Sequence, residues 1–179
     1  MEKTERTMKS EKIYEGRIVS LKVETVELPD RMYSKREIVE HDPASAIVAL
    51  MENDDVILIK QYRKAVDKIL YEIPAGILEK NESPKECAVR ELREETGFIA
   101  KDIEYIIEFY PSPGFCTEKI YVFLARGLEK SEKDLDEDEF IDCEIVPFDK
   151  VLKMIELGEI VDGKTISAIL TYNEIRRKK

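Results

Sequence analysis

The chain has 179 residues and a formal net charge of −10, from 29 Lys and Arg against 39 Asp and Glu. That length suits one domain or a domain with a small appendage, and the acidic balance excludes a basic stripe for nucleic-acid phosphates. Cys87, Cys116 and Cys143 are widely spaced and His41 is the lone histidine, which argues against a zinc site or a disulfide framework.

Residues up to about Lys12 are charged and read as frayed. They contain no apolar leader, and no later run approaches membrane-spanning length, so a cytoplasmic protein is expected. From Ile13 to His41 the chain alternates as strands do, broken at Pro29-Asp30. Ser45 to Met51 and Val56 to Tyr62 are apolar strands joined by the turn Asn53-Asp54-Asp55. Ile69 to Ile73 reads as a strand that ends at Pro74-Ala75-Gly76 and feeds a helix. Ile103 to Tyr110 and Ile120 to Ala125 are strands around a Pro/Gly-rich loop. An acidic loop from Glu129 to Glu139 precedes a strand near Phe140 to Val146. Helices from about Phe148 to Leu157, and after Asp162, close the chain. Mixed strands around a central helix, with another helix at the end, predict an α/β/α sandwich.

The central helix has strong local signals. Ser83 is a good N-cap, Pro84 suits the first helical position, and Glu86 completes a capping box. Gly97 is suited to the left-handed residue that ends a helix. Between these limits, at roughly 100° per residue, Glu91, Glu94 and Glu95 share one arc. Val89, Leu92 and Thr96 share the neighbouring arc and are expected to anchor the helix to a core. Glu91 and Glu95 repel each other on a bare helix. Carboxylates so concentrated suit Mg²⁺, which binds oxygen ligands together with substrate phosphates. The alternative is a solvated acidic face with Arg90 and Arg93 as ion-pair partners.

The run from Gly76 through Glu82 and Arg90-Glu91-Leu92-Arg93-Glu94-Glu95-Thr96-Gly97-Phe98 resembles the Nudix box at every specified position. By this resemblance the fold is a Nudix-type α/β/α sandwich of mixed sheets with an N-terminal antiparallel strand segment. Glu91 and Glu95 are then the main metal ligands, with Glu94 beside them and the Ala75 carbonyl as a further ligand. Arg90 and Glu82 orient the loop and helix through ion pairing, while Gly76 and Gly97 support the geometry. The implied cofactor is Mg²⁺, with Mn²⁺ as an alternative.

Outside the box, Gln61-Tyr62-Arg63, Glu72-Ile73-Pro74-Ala75-Gly76 and Pro111-Ser112-Pro113-Gly114-Phe115 resemble the ADP-ribose pyrophosphatase branch of that family. The resemblance implies substrate contacts at Arg63, Arg36, Glu72, Pro113, Gly114 and Glu118. For Arg63, Arg36 and Glu118 the alternative is a solvated surface charge. In Asp136-Glu137-Asp138-Glu139 it makes Glu137 the candidate general base and Glu139 a candidate metal ligand, against a plain acidic loop. It also implies a homodimer, residues 1–42 supplying the dimer-forming strands and 43–179 the catalytic domain. The expected reaction is hydrolysis of ADP-ribose to AMP and ribose 5-phosphate, with no nucleic-acid or membrane partner. Rival expectations are another nucleotide-sugar or dinucleotide as substrate, or a module that senses ADP-ribose without turnover. Cys116 is read as a packing residue.

Overall fold

The computed structural model describes residues 3–134 and 140–178. Its first element corrects an expectation, because the charged N-terminus forms strand β1 (Arg6–Glu15) instead of a frayed end. This strand pairs antiparallel with β2 (Val19–Glu27), which pairs antiparallel with β3 (Tyr33–His41). β1 is exposed along its whole length, so it lacks the apolar alternation by which a half-buried strand is recognised. Backbone pairing to β2 holds it.

The Pro/Gly-rich loop belongs with this small sheet, so that residues 1–43 and 110–119 form one compact unit. Its links are backbone bonds: Val39 N–H donates to the Phe115 carbonyl at 2.8 Å, and Thr117 N–H donates to the Val39 carbonyl at 3.0 Å. The Thr117 hydroxyl adds an acceptor for His41 N–H at 3.0 Å.

Residues 44–109 and 120–179 form the second unit. In chain order it contains β4 (Ala44–Ala49), β5 (Val56–Arg63), β6 (Lys68–Glu72), β7 (Ala75–Ile77), α1 (Pro84–Thr96), β8 (Phe98–Phe109), β9 (Ile120–Lys130), β10 (Ile141–Val146), α2 (Phe148–Glu156) and α3 (Gly163–Arg176). A mixed sheet has the order β7-β4-β9-β8, with β4 and β9 parallel and the other neighbours antiparallel. A second, antiparallel sheet has the order β10-β5-β6. The turn at Asn53-Asp54-Asp55 therefore does not close a plain hairpin. β4 and β5 enter different sheets and meet at one bridge, Leu50 to Val56.

β4 is buried at every position because both faces of its sheet are covered, which is why it reads as a continuous apolar run. Ala46, Val48, Val122 and Leu124 point to one face, against Val151 and Met154 of α2 and Ala168, Ile169 and Tyr172 of α3. Ile47, Ala49, Phe123 and Ala125 point to the other, against Ala88 and Leu92 of α1. This is the expected layering of helix, mixed sheet and helix. Each fully buried aliphatic side chain of this kind contributes about 1.5–3 kcal/mol. Among the described residues, no helix is long and apolar enough to cross a membrane.

The helix α1 starts and stops where its sequence signals place it. The Ser83 hydroxyl accepts from Glu86 N–H, the Glu86 carboxylate accepts from Ser83 N–H, and Gly97 is left-handed at φ 71°. Its rotation about its own axis differs from expectation at one residue. Leu92 and Thr96 are buried, but Val89 is 44% exposed while Glu91 and Glu95 are turned inward. Val89 lies about 200° from Glu91 on the helix, so burying the carboxylates drives it outward. The Ser45 hydroxyl fixes the position of α1 on the sheet by donating to the Pro84 carbonyl at 2.7 Å.

Candidate active site

Charged side chains are rarely buried unless something pairs them, and on α1 two carboxylates are. Glu95 is 2% exposed and Glu91 8%, both inside a layer that also holds Leu92 and Ala88. Glu95 Oε2 accepts the Ala75 N–H at 2.9 Å, which ties the last turn of α1 to the start of β7. Glu91 lies against the next residue. A β-carbon built on Gly76 would fall 1.8 Å from Glu91 Oε1 and 2.1 Å from its Cδ. Gly76 is therefore needed for space, so that a carboxylate can lie against bare backbone. Cys87 packs below, its thiol donating to the Gly76 carbonyl at 3.5 Å. Burial pushes its pKa up to about 12, so it stays protonated and packs as a small apolar group.

Arg90 gathers the remaining acids. Its Nε donates to Glu82 Oε1 at 2.9 Å, and its Nη1 donates to Glu91 Oε1 at 2.6 Å and to Glu94 Oε2 at 3.0 Å. Its Nη2 reaches the Ile77 carbonyl at 3.1 Å and Glu82 Oε2 at 3.0 Å. The hydrogen bond from Arg90 holds the Glu82 carboxyl below the ordinary carboxylate value. Arg90 and Glu82 thus clamp the loop before the helix to the helix itself. The structure brings together Ala75, Gly76, Glu82, Arg90, Glu91, Glu94 and Glu95. Among the described residues, no three Asp, Glu, His or Cys side chains form a ready metal cage. The donor chemistry still fits a hard divalent cation: carboxylate oxygens crowded on one helix face, and a glycine cradle that a β-carbon would fill.

A second charged group stands on β5 and β6. Arg63 binds Glu72 through two parallel hydrogen bonds, Nε to Oε1 at 2.8 Å and Nη2 to Oε2 at 2.7 Å. Glu72 is 1% exposed and also accepts from Lys164 at the start of α3. Sequence reading missed Lys164, since a Lys at a helix start carries no signal until the fold sets it beside Glu72. Gln61 lies on the same face of β5 as Arg63, two residues away, and its buried Oε1 has no hydrogen-bond partner among the described residues.

Burial pushes the Glu72 carboxyl up, and the Arg63 hydrogen bonds with the charge of Lys164 more than reverse this, so it titrates below its ordinary value of 4.5. A carboxylate held low stabilises the fold above the unfolded-state value, and that contribution disappears as pH falls through the folded-state value. The melting-temperature difference between the unaltered protein and Glu72→Gln is therefore expected to be largest above about pH 5 and to shrink below about pH 4.5. A difference independent of pH would show that the charge of Glu72 contributes nothing.

The last turn of α1 is capped from outside. Gly97 N–H donates to the Arg93 carbonyl at 2.8 Å, Asp134 N–H to the Glu94 carbonyl at 3.3 Å, and Ser131 N–H to the Gly97 carbonyl at 2.7 Å. The Cys143 thiol, on β10, donates to the Glu95 carbonyl at 3.2 Å. Residues on both sides of 135–139 thus bond to the carboxylate helix. Glu137 and Glu139 themselves lie outside the described residues.

The other predicted substrate contacts belong to the first unit. Arg36 on β3 forms a two-bond pair with Glu5, Nε to Oε2 at 2.9 Å and Nη2 to Oε1 at 2.5 Å. Pro113 and Gly114 are exposed in the 110–119 loop, and Glu118 is half-buried at its end. Cys116 is half-buried there, its sulfur accepting from Glu118 N–H at 3.5 Å.

Residues 40–168 match the NUDIX domain, and the chain belongs to that family. It is 46% identical over 167 residues to the ADP-ribose pyrophosphatase of Bacillus subtilis (strain 168), covering 92% of this chain and 90% of that protein. It is equally similar, 46% over 167 residues, to the methanol dehydrogenase activator of Bacillus methanolicus, again covering 92% and 90%. A crystal structure of an ADP compounds hydrolase superposes with a TM-score of 0.89 at 21% identity, over 98% of this chain and 95% of that one. That likeness establishes the fold.

Proposed function

We propose that the protein hydrolyses the pyrophosphate of ADP-ribose to AMP and ribose 5-phosphate with Mg²⁺, in the cytoplasm. One observation carries the reading: Glu91 and Glu95 are buried on α1 against the bare backbone of Ala75 and Gly76. The 46% identity to an ADP-ribose pyrophosphatase supports the choice of substrate.

Glu91, Glu95 and the Ala75 carbonyl would hold the cation, with Glu139 as a further ligand. When bound, Mg²⁺ supplies polarisation of the phosphoryl oxygens and neutralises the leaving phosphate. Mn²⁺ satisfies the same oxygen ligands. Arg63 binds a substrate phosphate through the Nη1 edge left over from its pairing with Glu72. Glu137 takes the proton of the attacking water. The water oxygen bonds to one phosphorus, the bridging P–O bond breaks, and the two monophosphates leave. Arg90 and Glu94 keep the carboxylate face in register. Arg36, Pro113, Gly114 and Glu118 are substrate contacts by resemblance of their motifs to the family, and Glu72, buried with both oxygens on Arg63, serves the substrate through that arginine. The bonds from Asp134 and Cys143 to α1, with that from Ser131 to Gly97 just after it, support the roles of Glu137 and Glu139, since they bring both flanks of that loop to the carboxylate helix.

The exposed edge strand β1, with Met8, Ile13 and Tyr14 uncovered, supports a homodimer built on the N-terminal strands, because a long unpaired edge invites pairing. The equal similarity to a methanol dehydrogenase activator favours a second reading, in which the protein also acts on a partner enzyme.

The test is hydrolysis of ADP-ribose, ADP-glucose, GDP-mannose, NADH and diadenosine polyphosphates with and without Mg²⁺. Preferential release of AMP and ribose 5-phosphate from ADP-ribose is expected. Preference for another member would overturn the substrate assignment. Tight binding of ADP-ribose without any turnover would favour a sensor.

A further inference from the structure

The buried carboxylate of Glu72 serves two cations. Arg63 takes both oxygens and Lys164 shares Oε2. Lys164 is itself largely buried, its side chain 14% exposed, and its ammonium also reaches Asp162 Oδ2 at 3.0 Å. That aspartate oxygen is already engaged, accepting Thr165 N–H at 2.9 Å and the Thr165 hydroxyl at 2.6 Å. The start of α3 is therefore fixed without Lys164. Asp162 caps the helix, and Thr165 Oγ1 accepts the Ile73 N–H at 2.9 Å. What Lys164 adds is charge.

A lone pair of Arg63 and Glu72 is electrically neutral, and a neutral pair attracts a phosphate weakly. Lys164 stands between two carboxylates, Glu72 and Asp162. With it the four groups sum to zero, and without it Arg63 would sit in a net negative group, so Lys164 lets the outer edge of the guanidinium keep its field. We propose that Lys164 is a positioning residue that acts through Glu72, holding that carboxylate so that Arg63 presents a charged Nη1 edge to a substrate phosphate. The inference rests on the phosphate-binding role given to Arg63 under the proposed function.

The test compares Lys164→Met, Lys164→Arg, Glu72→Gln and the double variant Glu72→Gln/Lys164→Met. ADP-ribose binding is measured by calorimetry in EDTA, and KM and kcat are measured with Mg²⁺. Lys164→Met is expected to weaken binding and raise KM about tenfold while kcat changes less than about threefold, the sign of an interaction made equally in ground and transition states. Lys164→Arg restores most of the loss. In the Glu72→Gln background, Lys164→Met adds less than about twofold, since the coupling runs through the carboxylate. Thr165→Val, which removes a structural link without changing charge, lowers the melting temperature and leaves KM in place.

An equal loss in both backgrounds would mean that Lys164 meets the substrate directly, and would overturn the inference. So would an unchanged KM in Lys164→Met. If the unaltered protein neither binds nor cleaves ADP-ribose, the functional reading fails and the inference falls with it. Binding by the unaltered protein with no effect of Lys164→Met removes only Lys164.

Discussion

Glu95→Gln is expected to lower kcat for ADP-ribose by at least about 10²-fold while the protein stays folded, since changing a group that only orients a metal ligand already costs about 10–100-fold. Gln has nearly the shape of Glu and keeps an oxygen to accept the Ala75 N–H. The tie between α1 and β7 therefore survives, and the change is confined to charge. Removing one of two inward carboxylates relieves the repulsion between Glu91 and Glu95 and gives up the attraction between Glu95 and Arg63, so the melting temperature should change little. Steady-state kinetics at saturating Mg²⁺ and thermal unfolding without metal check the two halves separately. Near-normal kcat would remove Glu95 from the site. A collapsed melting temperature would show that its charge is structural.

Gly76→Ala is the second large effect, and it works through space. Its β-carbon would sit 1.8 Å from Glu91 Oε1 and 2.6 Å from Oε2, distances no pair of non-bonded atoms tolerates. The clashing atoms are the far end of a flexible side chain, so Glu91 swings away and the backbone need not move. Overpacking of this sort costs about 1–3 kcal/mol, whereas disturbing even the groups that orient a metal ligand costs about 10–100-fold in metal affinity or activity, and displacing the ligand itself should cost no less. Activity should therefore fall much further than stability. Adding Glu91→Ala to Gly76→Ala should recover the melting temperature and leave activity low. If the single variant hydrolyses ADP-ribose normally, Glu91 does not need its place against Gly76.

The extent of α1 was legible because its signals are local. A capping box spans four residues and a left-handed glycine marks its own position, so no distant contact is needed to read either. The pairing of Arg90 with Glu82 was implied by the resemblance to the Nudix box, and the gathering of acids on one helix face followed from helical pitch. Val89 was misread for a related reason. Periodicity identifies a stripe, but here the inward stripe includes two carboxylates that hydropathy counts as outward.

Strand β1 escaped notice because a strand exposed on every residue leaves no apolar rhythm, and its pairing with β2 is a backbone property. The extra strand β7 is three residues long and is defined by its neighbours on β4. Lys164 and Cys143 reach the site from 92 and 48 residues away along the chain, distances across which no motif extends.

By itself the amino-acid order determined the mixed α/β class, the limits and caps of α1, and the identity of the clustered carboxylates, since each depends on neighbours within a turn or two of helix. The tertiary structure alone decided that Glu91 and Glu95 face inward onto Ala75 and Gly76. It also decided that the 110–119 loop joins the N-terminal sheet, and that the charge of Glu72 is divided between Arg63 and Lys164. Those outcomes depend on burial and on the meeting of distant segments, and both arise only when β4 is covered on its two faces and the chain closes around it.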